Sequence, residues 1–133
     1  TDTAEVNGGN GAEQFTLTAN GTRVRFDRVT PAPFFLDIGT TENLVLNMNG
    51  GDDTFTAGNG LASLITVTVD GGAGNDTLTG PGHLFGDEGA DRVVPDDDAG
   101  AVADGGPGKD DLHSGDKPDQ LFGATATITC SAV

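Results

Sequence analysis

The sequence predicts an all-β protein, built as a parallel β-roll or β-solenoid with glycine-rich turns. Three observations predict this fold. A nine-residue pattern, Gly-Gly-x-Gly-x-Asp-x-apolar-x, is complete at residues 71–79 and recurs along the chain. Several longer runs alternate between polar and apolar residues, as half-buried strands do. No segment has the apolar spacing or the end signals of a helix.

Residues 1–70 carry the longer strand-like runs. Thr or Arg occupies one face of the clearest runs and apolar side chains occupy the other, while Gly, Asn and Pro separate one run from the next. We therefore expect coils with longer strands in this part of the chain. The runs are 15–18, 22–26, 34–38, 44–48 and 64–69.

Residues 71–122 carry the nonapeptides. Their glycines permit backbone conformations closed to other residues, and their last three residues form a short strand with one inward side chain. Besides 71–79, residues 105–113 are a full copy, and 114–122 follow without a gap but carry Lys117 at a glycine position. Residues 86–94 keep the main features. Weaker copies occupy 49–55 and 8–16, the latter with Glu13 in place of Asp.

The spacing of the repeats is irregular. The sixth-position Asp falls at 53, 76, 91, 110 and 119, which gives steps of 23, 15, 19 and 9 residues. A coil of two nonapeptides takes about 18 residues. Steps near 18 to 23 therefore predict one full coil, and the step of 9 predicts a half coil. The step of 15 fits neither. Residues 95–104 are expected to form a loop or an imperfect half coil.

We expect one domain over 1–133. It divides into longer-strand coils at 1–70, nonapeptide repeats at 71–122 and a terminal strand or tail at 123–133. Each coil should bury inward apolar residues. These are Phe15, Leu17, Val24, Phe26, Leu44, Leu46, Phe55, Ile65, Val67, Val69, Leu78, Val93, Leu112 and Leu121.

The charge of the chain limits its partners. There are 21 acidic and 6 basic residues, a formal net charge of −15, and the acids are clustered. Such a field argues against nucleic acid or an anionic membrane and favours cations, because packed carboxylates repel one another unless something neutralises them. No apolar run reaches the length of about 20 residues that spans a membrane.

The repeats resemble the hemolysin-type calcium-binding repeats of the repeats-in-toxin family. The resemblance is strongest over 71–79 and 105–122, and residues 17–48 lie outside it. It implies that Ca²⁺ binds between turns stacked one coil apart, held by the sixth-position carboxylate and by main-chain carbonyls. The implied carboxylates are Asp76, Asp91, Asp110 and Asp119, with Asp53 from the weak copy at 49–55. The implied carbonyls are those of Gly71, Ala73, Asn75, Gly86, Glu88, Gly105, Pro107 and Lys109.

Departures from the family pattern limit the number of ions. Lys117 should strain the turn at 114–119, and Glu13 is one methylene too long for the same geometry. The carboxylates of Asp87, Asp111 and Asp116 could compensate. We expect about two to four Ca²⁺ ions, with binding and folding as one transition in the acidic half.

Enzymatic activity is not expected. His113 and Ser114 are adjacent in sequence, which does not make a nucleophile pair, and His83 stands apart. A polysaccharide-cleaving enzyme would need basic and aromatic residues to hold sugar, but the chain has no Trp or Tyr. One cysteine, Cys130, and two distant histidines do not make a zinc site.

Two functions remain open. The first is an extracellular, calcium-binding structural protein that assembles with copies of itself, head to tail, into a filament or surface layer. The alternative is a calcium-dependent folding or secretion module of a larger secreted protein, such as a protease, lipase or adhesin. Both place the chain outside the cell, secreted or on the cell surface, where millimolar calcium fills weak sites. A first residue of Thr1 fits a processed or excised chain.

Overall fold

The chain forms strands and turns. A computed structural model describes residues 2–58, 60–61, 63–95, 102–114, 120–122 and 125–130. Within these ranges there are fourteen strands and no helix, so no helix could span a membrane there. The strands are β1 (Thr3–Asn7), β2 (Gln14–Asn20), β3 (Arg23–Thr30), β4 (Phe34–Ile38), β5 (Asn43–Asn47), β6 (Thr54–Ala57), β7 (Thr66–Asp70), β8 (Thr77–Gly80), β9 (His83–Phe85), β10 (Arg92–Pro95), β11 (Val102–Asp104), β12 (Lys109–Ser114), β13 (Gln120–Phe122) and β14 (Thr125–Cys130).

The strands belong to two sheets. One has six strands in the order β1-β5-β7-β9-β11-β13, and the other has eight in the order β14-β12-β10-β8-β6-β2-β3-β4. From β5 onward the chain alternates between the sheets, and each strand pairs in parallel with the strand two places further along the chain. Successive turns are thereby placed one above another.

The prediction of an all-β fold is confirmed, but the strand directions are mixed. β2, β3 and β4 form an antiparallel unit over residues 14–38, the N-terminal meander, inside the eight-stranded sheet. β2 and β3 are joined at Gly21–Thr22, and Gly21 has φ +64°. A two-residue connection of this kind joins antiparallel strands, whereas parallel strands need a much longer crossover. The expected runs at 15–18, 22–26 and 34–38 therefore form hairpins in one sheet.

Both sheets contribute to a single buried apolar core. Every predicted inward residue with a described side chain is buried, which confirms that part of the pattern. The side chain of Leu121 lies outside the described residues. The prediction did not include Ile38, Met48, Ala57, Leu61, Leu84 and Ala103, which are also buried.

The glycine-rich turns stack closely on one another. Gly74, Gly89 and Gly108 occupy the fourth nonapeptide position, with φ of +127°, +136° and +133°. A Cβ at Gly89 would overlap the carbonyl oxygen of Gly74, and one at Gly108 would overlap that of Gly89. Neighbouring turns therefore touch backbone to backbone, and only glycine fits at these contacts.

Candidate functional site

Five acidic side chains lie in a row inside the stacked turns. They are the buried polar or charged side chains of the described residues, each exposed by 4 % or less. Four of them directly precede a strand of the eight-stranded sheet and Asp110 is the second residue of β12, so the parallel pairing of those strands aligns them. We call these residues the acid row: Glu13, Asp53, Asp76, Asp91 and Asp110.

Hydrogen bonds join each member of the acid row to the next. The backbone N–H of Asp53 donates to Oδ1 of Asp76, and the N–H of Asp76 donates to Oδ1 of Asp91, both at 2.8 Å. The N–H of Asp91 donates to Oδ1 of Asp110 at 3.0 Å. At the other end, the N–H of Glu13 donates to Oδ1 of Asp53 at 2.8 Å. One oxygen of every aspartate in the row is therefore satisfied by the preceding turn.

The second oxygen of each aspartate has no partner. Oδ2 of Asp53, Asp76, Asp91 and Asp110 is buried and accepts no hydrogen bond. In the nonapeptides this oxygen faces the first glycine of its own turn: an added Cβ would lie 2.6 Å from Oδ2 of Asp76 at Gly71, and 2.5 Å from that of Asp91 at Gly86. A buried carboxylate oxygen without a donor or counter-ion is costly, and either a proton or a cation would remove that cost.

Burial makes these carboxylates hard to ionise. Removal from water raises the pKa of Asp53 to about 6, that of Asp76 to about 7 and that of Asp91 to about 6. The backbone N–H that each accepts partly opposes the rise, and neighbouring carboxylates add to it. At neutral pH the row therefore favours a proton or a cation beside it.

A second set of hydrogen bonds runs beside the acid row in the opposite direction. Oδ1 of Asp52 accepts the N–H of Asn75 at 2.9 Å, and Oδ1 of Asn75 accepts the N–H of Ala90 at 2.9 Å. Both side chains occupy the fifth nonapeptide position and are exposed. From the sequence, only the carbonyl of Asn75 was predicted as a ligand, and no role was predicted for its side chain. The short acceptor side chains of Asp52 and Asn75, each just before a buried Asp, were the available signal.

Seven of the eight residues predicted to offer carbonyl groups lie in the stacked turns, between strands, and the eighth is Lys109. Ala73 and Glu88 form a parallel bridge. The carbonyl of Glu88 accepts the N–H of Gly74 at 2.9 Å, and that of Pro107 accepts the N–H of Gly89 at 3.3 Å. Because a carbonyl oxygen has two lone pairs, each of these can still face a cation. Lys109 begins β12 and is exposed.

Two of the additional carboxylates predicted for the site, Asp87 and Asp111, do not join the acid row. Asp111 is 47 % exposed and its Oδ1 lies 3.0 Å from Nε2 of His113. Asp87, with φ +68°, lines a groove of about 540 Å³ on the stacked turns, which Ala73, Glu88 and Pro107 also line. Asp116 and Asp119 lie outside the described residues, and so does the turn that contains them.

The side chains alone do not make a compact metal cluster. In the part of the chain that the structure describes, no group of three or more His, Cys, Asp or Glu side chains is arranged to hold a metal. A site between stacked turns would instead combine one or two carboxylates with main-chain carbonyls. The donor set of the acid row, which is entirely oxygen, fits Ca²⁺ rather than a metal that prefers nitrogen or sulfur.

Comparisons with known proteins return no match among protein families, curated proteins or solved structures. The chemistry of the acid row therefore has to be inferred from its own residues.

Proposed function

We propose that this chain is a non-enzymatic structural protein whose parallel β-roll turns are stabilised by Ca²⁺ along the acid row. The carrying observation is the set of four buried Oδ2 atoms without a partner, on Asp53, Asp76, Asp91 and Asp110. Ionised carboxylates in this position repel one another and have lost their water. A divalent cation between neighbouring turns supplies the missing ligand for both.

The proposed ligands come from adjacent turns. For the ion between the turns of Asp76 and Asp91, we propose the two carboxylates and main-chain carbonyls such as those of Gly71 and Gly86. A Cβ added at Gly71 would lie 2.9 Å from the carbonyl oxygen of Gly86, so the two turns are close enough to share one ion. Each ion would join two coils, and we expect calcium to raise the stability of the whole stack.

The setting we propose is extracellular, with assembly of copies head to tail. β1 and β13 are the outer strands of the six-stranded sheet, and β4 and β14 are those of the eight-stranded sheet. β4 carries the exposed apolar side chains Phe34, Phe35 and Leu36. Outer strands with apolar side chains pair readily with another chain, which supports assembly through the sheet ends.

A second candidate function is a folding module of a larger secreted protein. The acid row favours this function as well, because a row of uncompensated buried carboxylates disfavours the folded state wherever calcium is scarce. A chain with this property stays unfolded inside the cell and folds outside it. The two candidates differ in whether the pure chain elongates.

The first experiment measures calcium binding and the calcium dependence of secondary structure on the same samples. Equilibrium dialysis should find about two to four bound Ca²⁺ ions per chain, and circular dichroism should show structure lost in chelator and regained in millimolar calcium. Magnesium serves as the control, because it demands a smaller, octahedral site. The absence of binding and of any calcium-dependent change in structure would rule out the calcium assignment.

Electron microscopy of the same samples separates the two candidates. Ordered fibres in calcium that dissolve in chelator support the assembling subunit. Compact monomers in calcium that loosen in chelator support the module.

A further inference from the structure

The acid row begins with a residue that differs from the others. Glu13 stands five residues after Gly8, as Asp76 does after Gly71, so it occupies the same place in its turn. Its Oε1 accepts the N–H of Gly9 at 2.5 Å, and its carboxylate is buried. Oε1 faces Gly8, the first glycine of the turn, as Oδ2 of Asp76 faces Gly71, so the oxygen that has no partner in the aspartates has a donor in Glu13.

Oε2 of Glu13 has a charged partner. Nη2 of Arg28 lies 2.6 Å from it, in an ion pair whose Glu13 side chain is 1 % exposed and whose Arg28 side chain is 25 % exposed. The two groups are close but not aligned for a hydrogen bond, so the attraction between the charges dominates. The buried carboxylate at this end of the row therefore has its own positive charge.

The position of Arg28 follows from the N-terminal meander. β2 pairs with β6 on one side and with β3 on the other, and the register of β2 and β3 places Phe15 opposite Arg28. Asp53, Asp76 and Asp91 have a turn of the row on both sides, through their bonds to the neighbouring members. Glu13 has the turn of Asp53 on one side and Arg28 of β3 on the other.

We infer that the guanidinium of Arg28, together with the N–H of Gly9, takes the place of a metal ion at Glu13, so that the first turn of the acid row is held without calcium. This inference rests on the proposed function. An ion on the outer side of Glu13 would lack the carbonyls of a further turn, whereas a guanidinium needs none and stays charged at every working pH. The extra methylene of Glu relative to Asp extends the carboxylate toward β3.

We therefore expect two parts of the chain to depend on calcium to different degrees. β2 and β3 stay folded in chelator, while the segment 77–95, whose neighbouring aspartates have no cation of their own, depends on calcium. The N-terminal meander would then serve as a preformed end on which the calcium-dependent turns assemble.

Hydrogen exchange measured by mass spectrometry on the full chain tests this. In chelator, we expect wild-type amides of β2 and β3 to exchange at least tenfold more slowly than those of 77–95, and calcium to protect only the latter further. In Arg28→Gln, exchange in β2 and β3 should accelerate at least tenfold in chelator and slow again in calcium, because Glu13 then lacks its counter-charge.

Two control variants make the readout specific. Arg25→Gln removes the same charge from the same strand, at a side chain that pairs with Asp27 on the surface, and should behave as wild type. The double variant Glu13→Gln/Arg28→Gln has no buried charge to compensate at this position. Hydrogen exchange in its β2 and β3 should therefore not change when calcium is added.

The outcomes are distinguishable. If wild-type β2 and β3 need calcium as much as 77–95, or if Arg28→Gln loses protection that calcium does not restore, Arg28 does not replace a metal ion, and the proposed calcium function still stands. If 77–95 itself ignores calcium in the wild type, the proposed function fails and the inference fails with it.

Discussion

The carboxylate of Asp91 accepts the backbone N–H of Asp76 at 2.8 Å through Oδ1, while its Oδ2 is buried without a partner. The same half-satisfied state recurs at Asp53, Asp76 and Asp110. One oxygen aligns successive turns, and the other is available to a ligand. Alignment of the turns and the proposed cation site thus reside in the same side chain.

Acid should stabilise the chain when calcium is absent. The pKa of Asp76 is raised to about 7 and those of Asp53 and Asp91 to about 6, from an ordinary value of 3.8. The folded state therefore binds protons more tightly than the unfolded state, and this contribution is complete below pH ~4 and lost as pH rises through ~6 to 7. Thermal unfolding in chelator should give a higher Tm at pH 5 than at pH 8.

Calcium should reverse that trend, because it binds the ionised form. The rise in Tm caused by calcium should be largest at pH 8 and should shrink toward pH 5. A Tm in chelator that is unchanged or lower at pH 5 than at pH 8 would contradict the burial of these carboxylates.

Asp76→Asn should uncouple stability from calcium. The amide keeps an oxygen for the N–H of Asp53 and removes one buried charge, so we expect stability in chelator at pH 8 to rise by about 1 kcal/mol. The calcium-induced rise in Tm should fall at the same time. Asp37→Asn is the matched control, because Asp37 pairs with Arg23 on the surface at 2.8 Å and is 53 % exposed. If the two variants lowered the calcium-induced rise in Tm equally, Asp76 would have no specific role in calcium binding.

Gly86→Ala should close the space beside Asp91. The added Cβ would lie 2.5 Å from Oδ2 of Asp91, which leaves no room for a ligand and costs about 1–3 kcal/mol through overpacking. Gly11→Ala is the control, since a Cβ there meets nothing within 4 Å. Calcium titration followed by calorimetry should show weaker binding for the first variant only. Unchanged binding by Gly86→Ala would exclude a ligand next to Oδ2.

The exposed hydrogen bonds beside the acid row can be tested separately. Asp52→Ala removes the acceptor of the N–H of Asn75 and should cost about 0.5–1.5 kcal/mol. Asp52→Asn retains an acceptor oxygen and should cost less. Urea unfolding in the presence of calcium measures the loss in free energy of unfolding for both variants. Equal losses would show that the charge of Asp52, rather than its hydrogen bond, stabilises the turn.

Phe35→Lys should block assembly without affecting the fold. Phe35 is 58 % exposed on β4, where Arg25 lies 4.3 Å from its ring centroid. A lysine on an outer strand opposes pairing with another chain. We expect no fibres by electron microscopy, and a calcium-dependent Tm close to that of the wild type. Fibres that persist would place the contact between copies elsewhere.

The sequence predicted the buried residues better than the strand directions. Alternation identified Leu44 and Val67 as inward residues because a strand places every second side chain on the same face. The same alternation exists in parallel and antiparallel strands, so the runs of the N-terminal meander could not reveal their pairing. The turn at Gly21, between Asn20 and Thr22, was the available signal for a hairpin.

The candidate site was predictable in part. The sixth nonapeptide position marked Asp53, Asp76, Asp91 and Asp110, because spacing alone puts one carboxylate in each turn. The step of 15 residues fitted no regular coil, yet Asp76 and Asp91 are neighbours in the row, because only two residues separate β8 from β9. Arg28 comes from a strand outside the repeats, so no repeat pattern could link it to Glu13.

The regular row contrasts with the uneven lengths of chain between its members. Successive residues of the acid row are 40, 23, 15 and 19 positions apart, yet each is joined to the next by the same hydrogen bond. The longest interval contains the whole N-terminal meander, so an insertion of that size leaves the alignment of turns intact. Foreign peptides inserted between Gly21 and Thr22, in the exposed turn of the meander, should therefore be displayed without loss of the parent architecture.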